Sequence, residues 1–144
     1  MRTRYFALIM GIAFLVIGVL GFVPKLLTPP PGDHELRIAS GYGQLFALFP
    51  VNVLHNAVHL LFGIWGVVVW RNFAASRVYA RSVAVIYAIL AVMGLIPTLS
   101  TTFGLVPVYG NDIWLHAVIA IVSAYFGFAP VPTVETPGRA VPRP

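Results

Sequence analysis

The chain has 144 residues, 59% of them hydrophobic and 9% charged, with a net charge of +5 and no cysteine. A soluble domain carries about 25% charged residues, so a chain this poor in charge must meet lipid over much of its surface. Disulfides, thiolate metal sites and cysteine nucleophiles are excluded, and the nine Lys and Arg are scattered among apolar segments with no basic run, which speaks for topology determinants and against nucleic acid.

A bilayer core needs roughly 20 apolar residues of helix, and four segments qualify. The first runs from about 5 to 23 and stops at Pro24-Lys25. Arg2 and Arg4 make a basic start, but the apolar run exceeds the roughly 7–15 residues of a signal peptide core and no A-x-A pattern follows, so it reads as a retained helix. The loop after it contains "TPPPGDHELRIASGYG". Its triple proline is a stiff spacer. "HELRIA" alternates polar and apolar residues, which suits a short strand or an interfacial helix, and His34 there reads as solvated.

The second span runs from about 46 or 50 to 70, and the third from about 78 to 99. The connection 71–77 is short, so these two should be antiparallel neighbours. The next loop, "STTFGLVPVYGND", is too apolar to float in water and should pack on the first loop. The fourth span runs from about 113 to 128, and a proline-rich cytoplasmic tail, 130–144, follows.

Four spans put both termini on one side. That side holds Arg2, Arg4, Arg71, Arg77, Arg81, Arg139 and Arg143 against Glu135, whereas the other holds Lys25 and Arg37 with Asp33, Glu35 and Asp112. The positive-inside rule places both termini in the cytoplasm. Tyr5, Trp70, Tyr79, Tyr109 and Trp114 lie near the boundaries, as aromatic belts do. The expected fold is an all-α membrane protein: a four-transmembrane-helix bundle over residues 1–129, with a small extracytoplasmic cap formed by the two outer loops.

The second span carries polar residues. Asn52, His55, Asn56, His59, Gly63 and Gly66 fall on one helix face, opposite Val53, Leu54, Val58, Leu61 and Ile64. Polar groups find no partners in hydrocarbon, so this face should turn inward, and the glycines allow a neighbouring helix to approach closely. The other spans offer matching seams: Gly11, Gly18 and Gly21; Tyr87, Gly94, Pro97 and Thr98; Asp112, His116, Ala120, Ser123 and Gly127. At 1.5 Å per residue, His55 and His116 lie roughly 7 and 6 Å below the outer ends of their spans, and His59 roughly 13 Å. Asn52 and Asp112 lie one turn higher. These residues should form one polar cluster.

Several chemistries suit such a cluster. It can be purely structural, with Asn111 or Asp112 capping the fourth span and Asn52 and Asn56 bridging helices. It can be a metal site: His55 and His59, four residues apart, with His116 as a third ligand and Asp112 as a fourth or an orienting acceptor, suit zinc, copper or iron, and Asn52 and Asn56 then support the ligands from behind. No Glu lies in the spans, which argues against a carboxylate-rich di-iron centre. His55 and His116 can also be axial ligands of a haem or a related pigment, and an intramembrane polar seam can carry protons or ions. No nucleophile elbow surrounds any serine, and no glycine-rich phosphate loop is present. The expected function is therefore a non-catalytic structural or accessory membrane subunit, partnered by lipid and by other membrane subunits or copies of itself.

At "FPVNVLHNAVHLLFGIWGV" and "GNDIWLHAVIAIVSAYFG" the chain resembles a four-helix bacterial membrane family catalogued only as a domain of unknown function. Its pattern is N-x-x-H-N-x-x-H-x-x-x-G on the second helix and a Gly/Asp-aromatic-Leu-His start to the fourth. Asn52, His55, Asn56, His59, Gly63, Gly110, Asp112, Leu115 and His116 match it. The likeness reaches from the first span to Phe128. It implies the four-helix fold and a bacterial cytoplasmic membrane, and brings no established activity. There is a looser architectural likeness to four-helix membrane subunits of redox systems.

Overall fold

The computed structural model describes residues 2–30, 32 and 35–130. His34 and the expected tail beyond 130 lie outside the described residues. Four α-helices carry the fold: α1 (Arg2–Leu20), α2 (Val53–Val69), α3 (Phe73–Leu95) and α4 (Asn111–Phe128). Three of them, α1, α3 and α4, are long and apolar enough to cross a membrane; α2 is apolar but has 17 residues.

The helix limits differ from the sequence expectation for local reasons. The second helix begins at Val53, not near 46 or 50, because Asn52 caps it: the side-chain oxygen accepts from His55 N–H at 2.8 Å. The third begins at Phe73, five residues early, because Asn72 does the same for Ala75 N–H. It ends at Leu95, before the Pro97 that cannot donate to a helix. The α2–α3 connection is thus shorter than 71–77.

Residues ahead of α2 form a small antiparallel sheet in the order β1 (Leu27–Thr28), β2 (Gly43–Leu45), β3 (Phe49–Val51), with Gly43 opposite Val51 and Leu27 opposite Leu45. Phe46 and Ala47 turn β2 into β3 with φ of 54° and 58°, left-handed values that residues with a side chain adopt at a cost. "HELRIA" corrects to neither strand nor helix over its described part, 35–39. Arg37 and Ile38 instead donate their N–H groups to Gly104 O of the α3–α4 connection, at 2.8 and 3.3 Å. The Tyr42 and Tyr109 hydroxyls add a third bond between the two connections.

α1 packs along α2, and α3 along α4. Lipid tails are as apolar as leucine, so helices in a bilayer associate through close packing and not through the hydrophobic effect. Gly11, Gly63 and Gly66 supply it: a Cβ on Gly63 would stand 2.8 Å from Leu15 N, and one on Gly66 2.7 Å from Ala7 O. Gly18 lies against the Asn56 carbonyl, Gly94 against the Val108 carbonyl and Gly127 against Arg81. The central core is Ala7, Phe14, Tyr79, Val83, Tyr87 and Ala120. Ile9, Leu61, Val68, Leu95 and Ile121 point outward and stay exposed.

Arg4, Arg77 and Arg81 gather at the end away from the sheet. Arg77 and Arg81 donate to Gly127 O, Arg77 also to Ala129 O, and Arg4 to Trp70 O. They satisfy carbonyls that helix ends leave without an intrahelical partner.

Candidate functional site

At the sheet end, α2 and α4 each begin with polar residues, and their first turns face one another. Asn52 is fully buried. Besides capping α2, it donates through Nδ2 to Ile38 O at 2.8 Å and to Leu105 O at 2.7 Å. One side chain therefore ties the helix start to both long connections. Its place is above the histidines, as a tie between backbone segments.

His55 follows one turn in. Its Nδ1 lies 3.1 Å from Pro50 O. A carbonyl only accepts, so Nδ1 carries the proton and Nε2 presents a lone pair. His59 repeats the device one turn deeper, with Nδ1 donating to His55 O at 3.1 Å. The two rings are 4.6 Å apart. Across the bundle, the His116 ring is 6.4 Å from His55 and stands edge-on to Tyr87 at 4.9 Å. Phe14 stacks on Tyr87 and meets His59 edge-on.

Asp112 is 2% exposed, and its Oδ2 has no hydrogen-bond partner. The capping expectation for Asn111 or Asp112 is corrected: the residue before α4 is Gly110, and no side chain caps the helix. Asn111 turns away, donating to Leu48 O and accepting from the Trp114 ring. That leaves Asp112 to point inward. One ligand atom each from His55, Asp112 and His116 lies within 4.8 Å of the others, and all three residues are buried. The convergent group is thus His55, Asp112 and His116, with His59 beside it and one turn below. Asn56 sits elsewhere. Its side chain lies against Gly21 at the end of α1, and its Nδ2 has no partner.

Two contributors escaped the sequence reading. The Pro50 carbonyl, which sets the His55 tautomer, is a backbone group with no residue signature. Phe14 looks like any apolar position of α1, and only packing brings it against His59.

Zinc–nitrogen bonds are ~2.0–2.1 Å, so ligand atoms already within 4.8 Å need only small side-chain adjustments to share an ion. The set of two imidazoles and one carboxylate suits zinc, iron or copper. His116 Nδ1 and Asp112 Oδ2 are both buried without partners, and an orphaned carboxylate in an apolar seam is costly unless a cation or a donor meets it.

The profile of a family described as "Domain of unknown function (DUF4383)" matches residues 4–129. No curated protein matches the chain, and no solved structure does.

Proposed function

The chain belongs to the DUF4383 family, a domain of unknown function, and on that premise we propose that it is a four-span membrane protein holding a divalent transition metal at His55, Asp112 and His116. α2 is the fourth span: its 17 residues match the lower end of the roughly 17–25 that cross a bilayer. The sheet and the two bonded connections form a cap on the extracytoplasmic side. Both termini and the arginine-rich end lie in the cytoplasm, in keeping with the positive-inside rule.

The observation that carries the metal reading is the convergence of two imidazoles and an unpartnered, buried carboxylate. The Pro50 and His55 carbonyls hold His55 and His59 in the tautomer a ligand needs. Zinc, copper and iron all suit this set. The ion's role is structural or accessory: it closes α2 against α4 beneath the cap.

Elemental analysis of protein purified in mild detergent tests this. About one equivalent of metal is expected in the wild type, and Asp112→Asn should lose it. A wild type without metal after reconstitution with zinc, copper or iron overturns the reading and leaves a hydrogen-bonded network in its place.

A further inference from the structure

More than one cleft reaches the cluster. A smaller one of about 240 Å³, bounded by α2, α3 and the α3–α4 connection, is lined by His55, His59 and His116. A larger one of about 380 Å³ lies between α1 and α4 below the sheet, and His55, His59, Asp112 and His116 line its inner end. The remaining walls are apolar, among them Ala13, Phe14 and Ile17 of α1, Ile119 of α4, and Phe46 and Phe49 of the β2–β3 hairpin. Ile17 and Phe46 at its edge are exposed, as are the apolar residues on the outer faces of α1 and α4. In a bilayer, which the apolar helices call for, this mouth opens sideways to lipid. Its size falls within the roughly 300–1,000 Å³ of small-molecule sites.

The inner end is rich in acceptors. His59 is buried, 9% exposed. Its Nδ1–H is spent on His55 O, so its Nε2 accepts only. Asp112 Oδ2, buried and unpartnered, adds another acceptor when ionised. An ion at His55, Asp112 and His116 leaves His59 Nε2 still wanting a donor. An acyl chain alone supplies none, and neither does a ketone or an ether.

We propose that the α1/α4 cleft binds a membrane-soluble lipophile bearing a hydroxyl group, its apolar body between the two helices and its O–H donating to the imidazoles at the inner end, His59 Nε2 foremost. The site assigns no reaction to this molecule. It recognises an alcohol or phenol head on a hydrocarbon body, entering from the lipid phase.

The probe is radiolabelled 4-dodecylphenol, with 4-dodecylanisole as the matched ether that cannot donate. Retention is measured on full-length protein in lipid nanodiscs, against empty discs, with metal content measured on the same samples. The phenol should be retained near one per chain, and the anisole on the order of tenfold more weakly, the effect of one lost hydrogen bond at a buried acceptor. Ala13→Trp and Ile17→Trp, which add bulk to the α1 wall of the cleft and replace no histidine, should abolish retention while keeping metal content and melting temperature. His59→Phe should equalise the two probes. Equal retention of phenol and ether by the wild type overturns the proposal, as does phenol retention unchanged in both tryptophan variants that still fold. Loss of the metal reading shows instead in metal content, so the two fail separately.

Discussion

His55 donates its Nδ1–H to the carbonyl oxygen of Pro50 at 3.1 Å, across the junction where β3 becomes α2. The bond joins the small sheet to the polar cluster. It fixes the proton on Nδ1 and leaves Nε2 bare, and it makes the cluster depend on how the chain enters α2.

The first prediction separates the two histidines of α2. His55→Ala and His116→Ala should bind metal at least 100-fold more weakly, since each removes a ligand. His59→Ala should bind within about tenfold of the wild type, a loss no larger than that expected of a supporting partner. Competition with a chromophoric chelator measures both. Equal losses at positions 55 and 59 would show that the ion sits between the two α2 rings.

Asn52→Ala should be among the most destabilising single changes at this end. It removes the α2 cap, worth about 1 kcal/mol, and leaves Ile38 O and Leu105 O without their donor. Together these amount to about 2–4 kcal/mol. A thermal melt in detergent should show the loss, and protease should cut the two connections first.

Gly63→Val should weaken the α1–α2 pair. The added Cβ alone would meet Leu15 N at 2.8 Å and Gly11 O at 2.9 Å, both backbone atoms that move only with α1. Overpacking of this kind costs about 1–3 kcal/mol. Circular dichroism melts of the variant should fall accordingly, with the metal stoichiometry at low temperature kept.

Alkali should loosen the cap. Burial, and then the hydrogen bond to Tyr42, push the Tyr109 hydroxyl above its ordinary value of 10.0. A group whose folded value is raised stabilises fully below its unfolded value, and that stability is lost as pH rises through the folded value. Stability should therefore decline above about pH 10, and Tyr109→Phe should flatten the decline while lowering neutral-pH stability by about 1 kcal/mol. Melting temperatures across pH 8 to 11 provide the comparison.

Topology is testable cleanly because the chain has no native cysteine. Phe103→Cys should react with a membrane-impermeant maleimide in intact cells. Arg71→Cys should react only after the membrane is opened. The reverse pattern would invert the orientation drawn from the arginines.

The sequence by itself determined the apolar character of the helices, the existence of all four and the face of α2 that turns inward. These follow from hydropathy and a 3.6-residue period, both local properties of the chain. It also carried the glycines of the α1–α2 crossing, because Gly11, Gly18, Gly63 and Gly66 lack the Cβ that the neighbouring backbone would meet. The sheet was not legible. Strands of two and three residues are too short to show a period of two, and the Phe46-Ala47 turn bears none of the Asn-Gly or Asp-Gly signals of a tight hairpin.

Only the tertiary structure decided which polar residues meet. Helical spacing and depth put His55, His59, His116 and Asp112 in one cluster, with Asp112 as either a cap or a ligand, but did not say which of them converge. Yet a metal-sized gathering depends on atoms from different helices, and that is set by how the α3–α4 pair sits across from the α1–α2 pair. Asn111 turns outward to Leu48 and Trp114, Gly110 leaves the helix start uncapped, and Asp112 comes inward beside His55 and His116. A one-dimensional pattern gives a residue's face and depth. The partner across the bundle is fixed by packing and backbone bonds from distant parts of the chain, and a period along one helix does not encode them.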